Sequence, residues 1–392
     1  MTTTIKNFHF SCPAEIFFGQ NCVTENAAIF TQYGKKAFIL TSVFPDGYKN
    51  LALEDTEKLL KNNGIQYRIN DNVICDPSVE SCIDIMADVK DFNPDFIIGV
   101  GGGSTMDTVK GINVMLAYPE LEPYDALFNN GAHVFGVGGK NHGALPFISI
   151  PTTAGTGADV TGVAVLTRAD IDNKCGTNRR NYANYNFTDP RYIMGIPKEL
   201  NHSVAVDALC HGIEAYLSRG SQDNHMTNSM AETAFSLFAG FKDHLLADTM
   251  TEDDCTKQAL HSLLQGMVII NEVTGVPHGL GYPLSHHYHV PHGLACGVFE
   301  GEYLREFKEP QNQARVEKLI KLIGFDHVDA FCDYIQTILA PHINIKVTRK
   351  EIDEWTQVFC DQQWRVDRHP EPLTAETVKG MYERALTSFI VD

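Results

Sequence analysis

One stretch of the sequence decides the fold, and it reads Asp95-Phe96-Ile97-Ile98-Gly99-Val100-Gly101-Gly102-Gly103-Ser104-Thr105-Met106-Asp107. An apolar run typical of a buried strand ends in three glycines, and the residues behind it have helix-like composition. Glycines at such a turn let the backbone approach a diphosphate, whose charge is stabilised by free N–H groups at the helix N-terminus. Glycine runs also occur in ordinary turns. The position between strand and helix, with Lys110 one turn further on, favours a nucleotide-binding loop.

Strand-like and helix-like segments alternate around this loop through the first half of the chain. Strand patterns cover 36–41, 66–69 and 147–150, and helical spacing covers 51–62 and 81–91. Such alternation predicts a parallel sheet flanked by helices. Beyond about residue 197 the pattern changes to amphipathic helices with few strand signals, over residues 203–218, 226–246, 255–271, 311–323, 330–340 and 375–389. The sequence therefore predicts a Rossmann-like α/β domain over 1–195 and an α-helical domain over 196–392.

A second loop follows the strand-like run 147–150, with the sequence Pro151-Thr152-Thr153-Ala154-Gly155-Thr156-Gly157. Its hydroxyls and free amides could form a second wall of a cofactor site. An ordinary threonine- and glycine-containing turn explains this stretch equally well when it is taken alone.

The composition limits the classes of partner. The 392 residues include 31 Lys plus Arg against 49 Asp plus Glu, for a formal net charge of −18. This charge repels phosphate backbones and anionic lipids, which argues against nucleic acid and membrane surfaces. No apolar run approaches the ~20 residues of a membrane span, and no apolar secretory core follows the N-terminus. We therefore expect a cytoplasmic protein of enzyme size.

The 10 cysteines are scattered and include no C-x-x-C pair. This distribution is typical of reduced, mostly buried thiols and argues against a disulfide scaffold. Cys210 adjoins His211, but neighbours on a helix point in different directions, which argues against a nucleophile and base pair. We expect the cysteines to be small core residues.

A carboxylate and three histidines have the pattern of a metal site. Asp207 and His211 are spaced i, i+4, which places both side chains on one face of a helix. His278 and His292 each stand between Pro and Gly, in Val276-Pro277-His278-Gly279 and Val290-Pro291-His292-Gly293. Three nitrogens and one oxygen suit a divalent transition metal such as Fe²⁺ or Zn²⁺ with one position open. The alternative is a capping aspartate with polar histidines near a helix junction.

These motifs together resemble the iron-containing, or group III, alcohol dehydrogenase family, whose fold is shared with dehydroquinate synthase and glycerol dehydrogenase. The resemblance spans nearly the whole chain. It rests on several motifs in the expected order: Phe8-His9-Phe10, Phe17-Phe18-Gly19, Asp76-Pro77-Ser78, the loops 101–110 and 151–157, the segment 207–216, the two His-Gly motifs and Leu373-Thr374-Ala375-Glu376.

The resemblance implies an NAD(P)-linked oxidoreductase that acts on a small alcohol or aldehyde, with the substrate oxygen on the metal. It implies that Asp207, His211, His278 and His292 hold the metal, with Fe²⁺ the expected ion and Zn²⁺ the alternative. It further implies a homodimer or a larger homo-oligomer. The residues expected to contact NAD(H) or NADP(H) are Ser42, Gly102, Gly103, Ser104, Asp107, Thr152, Thr153 and Thr156.

The chain departs from the family pattern at two places. Many relatives carry a second histidine four residues after the first His-Gly motif, where this chain has Tyr282. We expect Tyr282 either to donate a hydrogen bond near the nicotinamide or to pack at the wall of the site, with His286, His287 or His289 as the other candidates for proton transfer. Tyr282 and His286 are the catalytic residues that we predict. The polar and aromatic stretch 173–187 is also atypical, and we interpret it as a solvated loop.

The strand-like run 36–41 is followed by Ser42, where NAD-preferring relatives often place an aspartate that repels a 2′-phosphate. We therefore expect NADP(H) to be accepted, although Asp46 could restore the carboxylate.

Two rival hypotheses fit the same motifs. A non-redox enzyme of the dehydroquinate synthase type would need several Lys and Arg for a phosphorylated, carboxylated substrate, and the helical half shows few. A metal- or nucleotide-binding protein without turnover would leave the combination of metal quartet and cofactor loop unexplained.

Overall fold

The computed structural model describes residues 7–43, 50–129, 144–171 and 173–391. The chain divides into two compact units. The first unit is Ser11–Ile196, and the second begins at Pro197 and includes the N-terminal stretch that ends at Phe10. Each unit has its own hydrophobic core.

The first unit contains strands and helices in alternation. Its strands are β1 (Glu15–Phe18), β2 (Lys36–Leu40), β3 (Gln66–Asn70), β4 (Phe96–Gly101), β5 (Phe147–Pro151), β6 (Val165–Arg168), β7 (Asn173–Gly176) and β8 (Tyr185–Thr188). Its helices are α1 (Cys22–Glu25), α2 (Ala27–Thr31), α3 (Leu51–Asn62), α4 (Val79–Phe92), α5 (Gly103–Ala117) and α6 (Pro123–Phe128).

Six of these strands form one sheet in the order β1-β8-β5-β4-β2-β3, and every neighbouring pair is parallel. Strand β4 is central, and all six of its residues are buried. A strand covered by helices on both faces is apolar throughout, which explains the continuous run that begins at Phe96. The predicted Rossmann-like domain is confirmed. Strands β6 and β7 form a separate antiparallel pair.

The interpretation of residues 173–187 as a solvated loop is wrong. The segment contains β7, and its end enters β8, which pairs with both β1 and β5 inside the main sheet. Arg179 is buried, because its guanidinium donates to the backbone oxygens of Asp125 (2.7 Å) and Ala126 (2.5 Å). Four-residue strands carry too little periodicity to be recognised in the sequence, and the hydrogen bonds of Arg179 are non-local.

The second unit is helical. Its helices are α7 (Lys198–Leu217), α8 (His225–Ala247), α9 (Glu252–Glu272), α10 (Val276–Tyr288), α11 (His292–Arg305), α12 (Pro310–Leu322), α13 (Val328–Leu339), α14 (Arg349–Cys360), α15 (Gln363–Val366) and α16 (Ala375–Ala385). Helix α7 is buried on every side from His202 to Leu217. A helix buried all round is the centre of its domain, and its packing therefore positions the side chains that it carries.

The two His-Gly motifs begin helices that the sequence patterns did not predict. Pro277 lies in the first turn of α10, and Pro291 is the residue before the first turn of α11. Proline is compatible with these positions because the first backbone N–H groups of a helix have no partner within the helix. Within the described ranges, no helix combines the length and apolar character that a membrane crossing requires.

Candidate metal centre and cofactor loops

Three imidazoles from three helices surround one carboxylate oxygen of Asp207. Asp207 and His211 lie on α7, His278 on α10 and His292 on α11. The Oδ1 atom of Asp207 is 3.6 Å from Nε2 of His211, 3.5 Å from Nε2 of His278 and 3.8 Å from Nε2 of His292. The structure thus brings all three predicted imidazoles close to Asp207, although the tightest group of possible ligand atoms among the described residues consists of Asp207, His278, His292 and Cys296 and does not include His211.

These separations match those of ligands that share one ion. Two ligand atoms at ~2.1 Å from a metal and at the tetrahedral angle are about 3.4 Å apart. A direct hydrogen bond between Asp207 and an imidazole would be shorter, at about 2.7–2.9 Å. The spacing therefore fits a metal at the centre of the group better than it fits a network of direct hydrogen bonds.

Glu214 determines which nitrogen of His278 faces the centre. One oxygen of Glu214 accepts from Nδ1 of His278, and the other accepts from the backbone N–H groups of Gly275 (2.6 Å) and His278 (3.4 Å). Since a carboxylate only accepts, Nδ1 carries the proton and Nε2 presents a lone pair towards Asp207. This carboxylate–histidine arrangement is the usual support of a metal-binding imidazole.

The converging atoms lack other partners. Oδ1 of Asp207 and Nε2 of His278 are buried, and neither has a hydrogen-bond partner among the described residues. An anion that faces a lone pair inside a protein is unfavourable unless a cation lies between the two atoms. The donor set therefore fits a divalent metal.

The ionisation states of Asp207 and His211 are those of metal ligands. Burial would raise the pKa of Asp207, but the three imidazoles, His211 first, hold it below its ordinary value. Burial lowers the pKa of His211 to about 4 despite the opposing effect of Asp207. At neutral pH the centre thus offers an ionised carboxylate and a neutral His211, which are the protonation states that bind metals.

Glycine allows the helices of this centre to approach closely. A Cβ atom at Gly293 would lie 1.9 Å from the backbone oxygen of Ser203 and 2.7 Å from Cβ of Asp207. The glycine that follows His292 therefore lets α11 contact α7 directly beside the aspartate. This contact explains the requirement for glycine at that position in the His-Gly motif.

The two predicted cofactor loops lie side by side at the ends of the adjacent parallel strands β4 and β5. A Cβ atom at Gly102 would lie 3.0 Å from Oγ1 of Thr153, and one at Gly103 would lie 2.7 Å from Cγ2 of Thr156. The N–H of Thr152 donates to the oxygen of Gly101 (3.0 Å). Ligands bind at such strand ends in α/β sheets.

Two other predicted cofactor residues, Asp107 and Ser104, accept hydrogen bonds from other protein groups. Asp107 accepts from the N–H of Val165 (3.0 Å) and from Nζ of Lys110 (3.2 Å). The Ser104 hydroxyl accepts from the N–H of Asp76 (3.3 Å). Ser42 forms an isolated bridge just after β2, whereas Asp46 lies outside the described residues.

The predicted catalytic residues occupy different positions. The ring of Tyr282 is partly exposed and stacks on His292 at a centroid distance of 5.9 Å. His286 lies on the last turn of α10 and contacts His287 at 4.8 Å. Among the described residues, His286 is not one of the cluster of metal-ligand atoms, and His287 and His289 are exposed. Only Tyr282 is thus placed directly beside a predicted metal ligand.

Comparison with known proteins identifies the family. Residues 13–190 match the model for iron-containing alcohol dehydrogenase, and residues 203–386 match the model for the C-terminal part of the same family. This chain belongs to the iron-containing alcohol dehydrogenase family.

Three relatives illustrate the similarity. Lactaldehyde reductase of Escherichia coli is 27% identical over 344 residues, which cover 82% of this chain and 85% of the relative. Sulfoacetaldehyde reductase of Bilophila wadsworthia is 30% identical over 270 residues, covering 68% and 66%. The crystal structure of an iron-containing alcohol dehydrogenase from Thermotoga maritima aligns with a TM-score of 0.84 at 28% identity, covering 97% of this chain and 100% of that chain.

Membership makes this protein an oxidoreductase that acts on CH–OH groups. It is a metal-dependent, NAD(P)-linked alcohol dehydrogenase or aldehyde reductase. This assignment favours the dehydrogenase hypothesis over the two rivals, because the matching family models and relatives are alcohol dehydrogenases and aldehyde reductases.

Two residues beside the candidate metal ligands were missed in the sequence. Glu214 lies seven residues after Asp207, and this two-turn spacing places it on the same face of α7. Cys296 lies four residues after His292, and its sulfur joins the cluster formed by Asp207, His278 and His292. Cys296 lies in the hydrophobic core as expected of a buried cysteine, but sequence spacing does not show that α10 and α7 meet this turn of α11.

Replacement of Glu214 tests its support of the metal centre. In Glu214→Gln the amide keeps the shape of the side chain but no longer accepts as an anion from His278. We expect the affinity for the divalent metal to fall by about 10- to 100-fold. Competition titration with a chromophoric chelator measures the change, and Glu232→Gln, on the partly exposed face of α8, is the control. Unchanged affinity in Glu214→Gln would contradict the supporting role.

Proposed function

We propose that Asp207, His211, His278 and His292 hold the divalent metal of this dehydrogenase, with Fe²⁺ as the native ion and Zn²⁺ as the alternative. The observation that supports this proposal is the position of Asp207 Oδ1, which lies within 3.8 Å of three imidazole nitrogens. A bound divalent metal acts as a Lewis acid that stabilises developing negative charge on an alcohol or aldehyde oxygen.

The protein's own groups have distinct roles in the proposed reaction. Asp207 and His278 are almost fully buried, whereas 34% of the His292 side chain is exposed. The substrate is therefore expected to approach the centre from the His292 side, where Tyr282 covers part of the imidazole ring. We propose that Tyr282 donates a hydrogen bond that orients the substrate or the nicotinamide.

The α/β unit is proposed to bind the nicotinamide cofactor. The free N–H groups at the start of α5 would bind the diphosphate next to Gly102 and Gly103, which bring no side chain into its path. Thr152, Thr153 and Thr156 would line the neighbouring strand end. We thus propose a dinucleotide-binding domain over residues 1–195 and a domain for metal and substrate over residues 196–392. Composition and the family resemblance support two further proposals, a cytoplasmic location and a homodimer or larger homo-oligomer.

The metal proposal is tested by removal of one ligand. We expect the wild-type protein to bind one divalent metal per chain and His278→Ala to lose most of it, because the remaining ligands no longer enclose the ion. Elemental analysis after anaerobic loading with Fe²⁺ gives the stoichiometry. The matched control is His202→Ala, which removes another buried histidine of the helical unit. Retention of one metal per chain by His278→Ala, or full activity of metal-free protein, would overturn the proposal.

Tyr282 is tested by removal of its hydroxyl alone. The hydroxyl of Tyr282 can donate a hydrogen bond, and a phenylalanine at this position keeps the ring without the donor. If the hydroxyl contacts the reacting groups, Tyr282→Phe should lower kcat and kcat/KM together by about ten- to a hundredfold, with the metal still bound. Tyr288→Phe, on the same helix, is the control. Unchanged kinetics would show that Tyr282 only packs against His292. His286 would then be the next residue to test for proton transfer.

The choice of cofactor depends on the residue after β2. We expect NADP(H) to be accepted because Ser42 offers no negative charge against a 2′-phosphate. Ser42→Asp should shift the ratio of kcat/KM values at least tenfold towards NAD(H), since two anions would then be opposed. Asp46→Asn tests the alternative source of a carboxylate. A hundredfold preference of the wild-type enzyme for NAD(H) would reject this proposal.

A second candidate substrate class is favoured by Arg365. Its side chain is buried, its guanidinium lies 5.3 Å from the centre of the Tyr282 ring, and Nη1 donates to the oxygen of Gly275 (3.0 Å). Among the described residues, no carboxylate forms an ion pair with Arg365. The Tyr282 ring lies between Arg365 and His292. A buried cation without an anionic partner at this position suits an aldehyde that carries an anionic group. The relative from Bilophila wadsworthia is named for such an aldehyde.

This substrate preference is tested by comparison of a charged and a neutral aldehyde. We expect sulfoacetaldehyde to be reduced with a lower KM than lactaldehyde. Arg365→Met should raise KM for sulfoacetaldehyde about tenfold or more and leave lactaldehyde nearly unchanged, whereas Arg365→Lys should retain part of the difference. An equal loss with both substrates would show that Arg365 only supports the fold.

A further inference from the structure

Cys296 occupies an unusual position for a core cysteine. It lies one helical turn after His292 on α11 and is completely buried. Its sulfur is 3.9 Å from both ring nitrogens of His292. Ligand atoms of Cys296, Asp207, His278 and His292 all lie within 4.8 Å of one another. The thiol therefore belongs to the same cluster as three of the proposed metal ligands.

The separations suit a sulfur that shares the ion. With a metal–sulfur distance of ~2.3 Å and a metal–nitrogen distance of ~2.1 Å, the two ligand atoms are about 3.1 Å apart at a right angle and about 4.4 Å apart when opposite. The observed 3.9 Å between Cys296 Sγ and His292 Nε2 lies between these limits. The separation of Cys296 from His292 is therefore compatible with a shared ion.

Two buried atoms point independently to a cation in this cluster. Oδ1 of Asp207 and Nε2 of His278 lie on residues that are 98% buried, and neither atom has a partner among the described residues. A thiolate of Cys296 would add its negative charge to that of the Asp207 carboxylate. Such a combination is stable only around a metal ion or several protons.

Cys296 and the substrate would occupy different sides of the ion. Cys296 is completely buried, whereas 34% of the His292 side chain is exposed to solvent. Coordination by Cys296 would therefore leave the exposed side open. Five protein ligands and one substrate oxygen together complete a six-coordinate shell.

We propose that the thiolate of Cys296 is a fifth protein ligand of the metal, coordinated from the buried side of the centre. This inference rests on the proposed metal site formed by Asp207 and the three histidines. Thiolate is a soft ligand, and it increases the affinity of a site for Zn²⁺ and Co²⁺ relative to a site made of oxygen and nitrogen alone. The centre of this protein thus binds these two ions more tightly than the four-ligand set would.

The experiment uses the full-length protein loaded with Co²⁺ under anaerobic conditions. Thiolate bound to Co²⁺ produces an intense charge-transfer band in the near ultraviolet, and the weaker visible bands report the metal whether or not sulfur is bound. The band should be present in the wild-type protein and absent in Cys296→Ser and Cys296→Ala, which should keep the visible bands. The control is Cys210→Ala, because Cys210 is an equally buried cysteine on α7; it should keep the charge-transfer band.

A second measurement does not depend on the spectrum. Chelator competition should show that Cys296→Ser binds Zn²⁺ about tenfold or more weakly than the wild-type protein, while Cys210→Ala is unchanged. Circular dichroism confirms that each variant is folded.

The outcomes separate the two proposals. Visible bands without a charge-transfer band in the wild-type protein, or a band that persists in Cys296→Ala, would overturn the role of Cys296 and leave the four-ligand site intact. Failure of the wild-type protein to bind Co²⁺, Fe²⁺ or Zn²⁺ at all would overturn the metal site and the thiolate ligand together.

Discussion

The buried carboxylate of Asp207 is the constraint on which the helical unit depends. An ionised group inside a protein is unfavourable unless it is paired or coordinates a metal. Asp207 is 2% exposed and is surrounded by imidazoles from α7, α10 and α11. Three helices must therefore meet at one point, and Gly293 is the residue that lets α11 come close enough to α7.

Three buried carboxyl groups near this point are accommodated in three different ways. The imidazoles hold the pKa of Asp207 low despite its burial, and Glu214 accepts hydrogen bonds from Gly275 and from His278. Glu300 is completely buried on α11, and burial raises its pKa well above the ordinary value, which favours its neutral form. The negative charge of Asp207 is thus kept where three imidazoles meet, and there it can attract a cation.

The α/β unit differs from the helical unit in the charge of its ligand, because a nicotinamide dinucleotide is an anion. Backbone N–H groups at the start of a helix can bind an anion without a cationic side chain, and α5 begins at the glycine loop. Lys110, which follows Gly103 by about two helical turns on α5, is fully buried and directs its ammonium group to Asp107 and to the oxygen of Val163 (2.9 Å). These contacts tie α5 to the segment that precedes β6.

The sequence by itself determined the features that depend on local spacing. Residue spacing within a short segment predicted the parallel sheet, the glycine loop and the pairing of Asp207 with His211. Such spacing is visible in a few neighbouring residues, because strands and helices repeat every two and 3.6 residues. Only the tertiary structure decided which distant groups meet. It brought Cys296 to Asp207, directed Glu214 to His278 and inserted β8 into the sheet, because these contacts depend on how helices and strands far apart in the chain pack together.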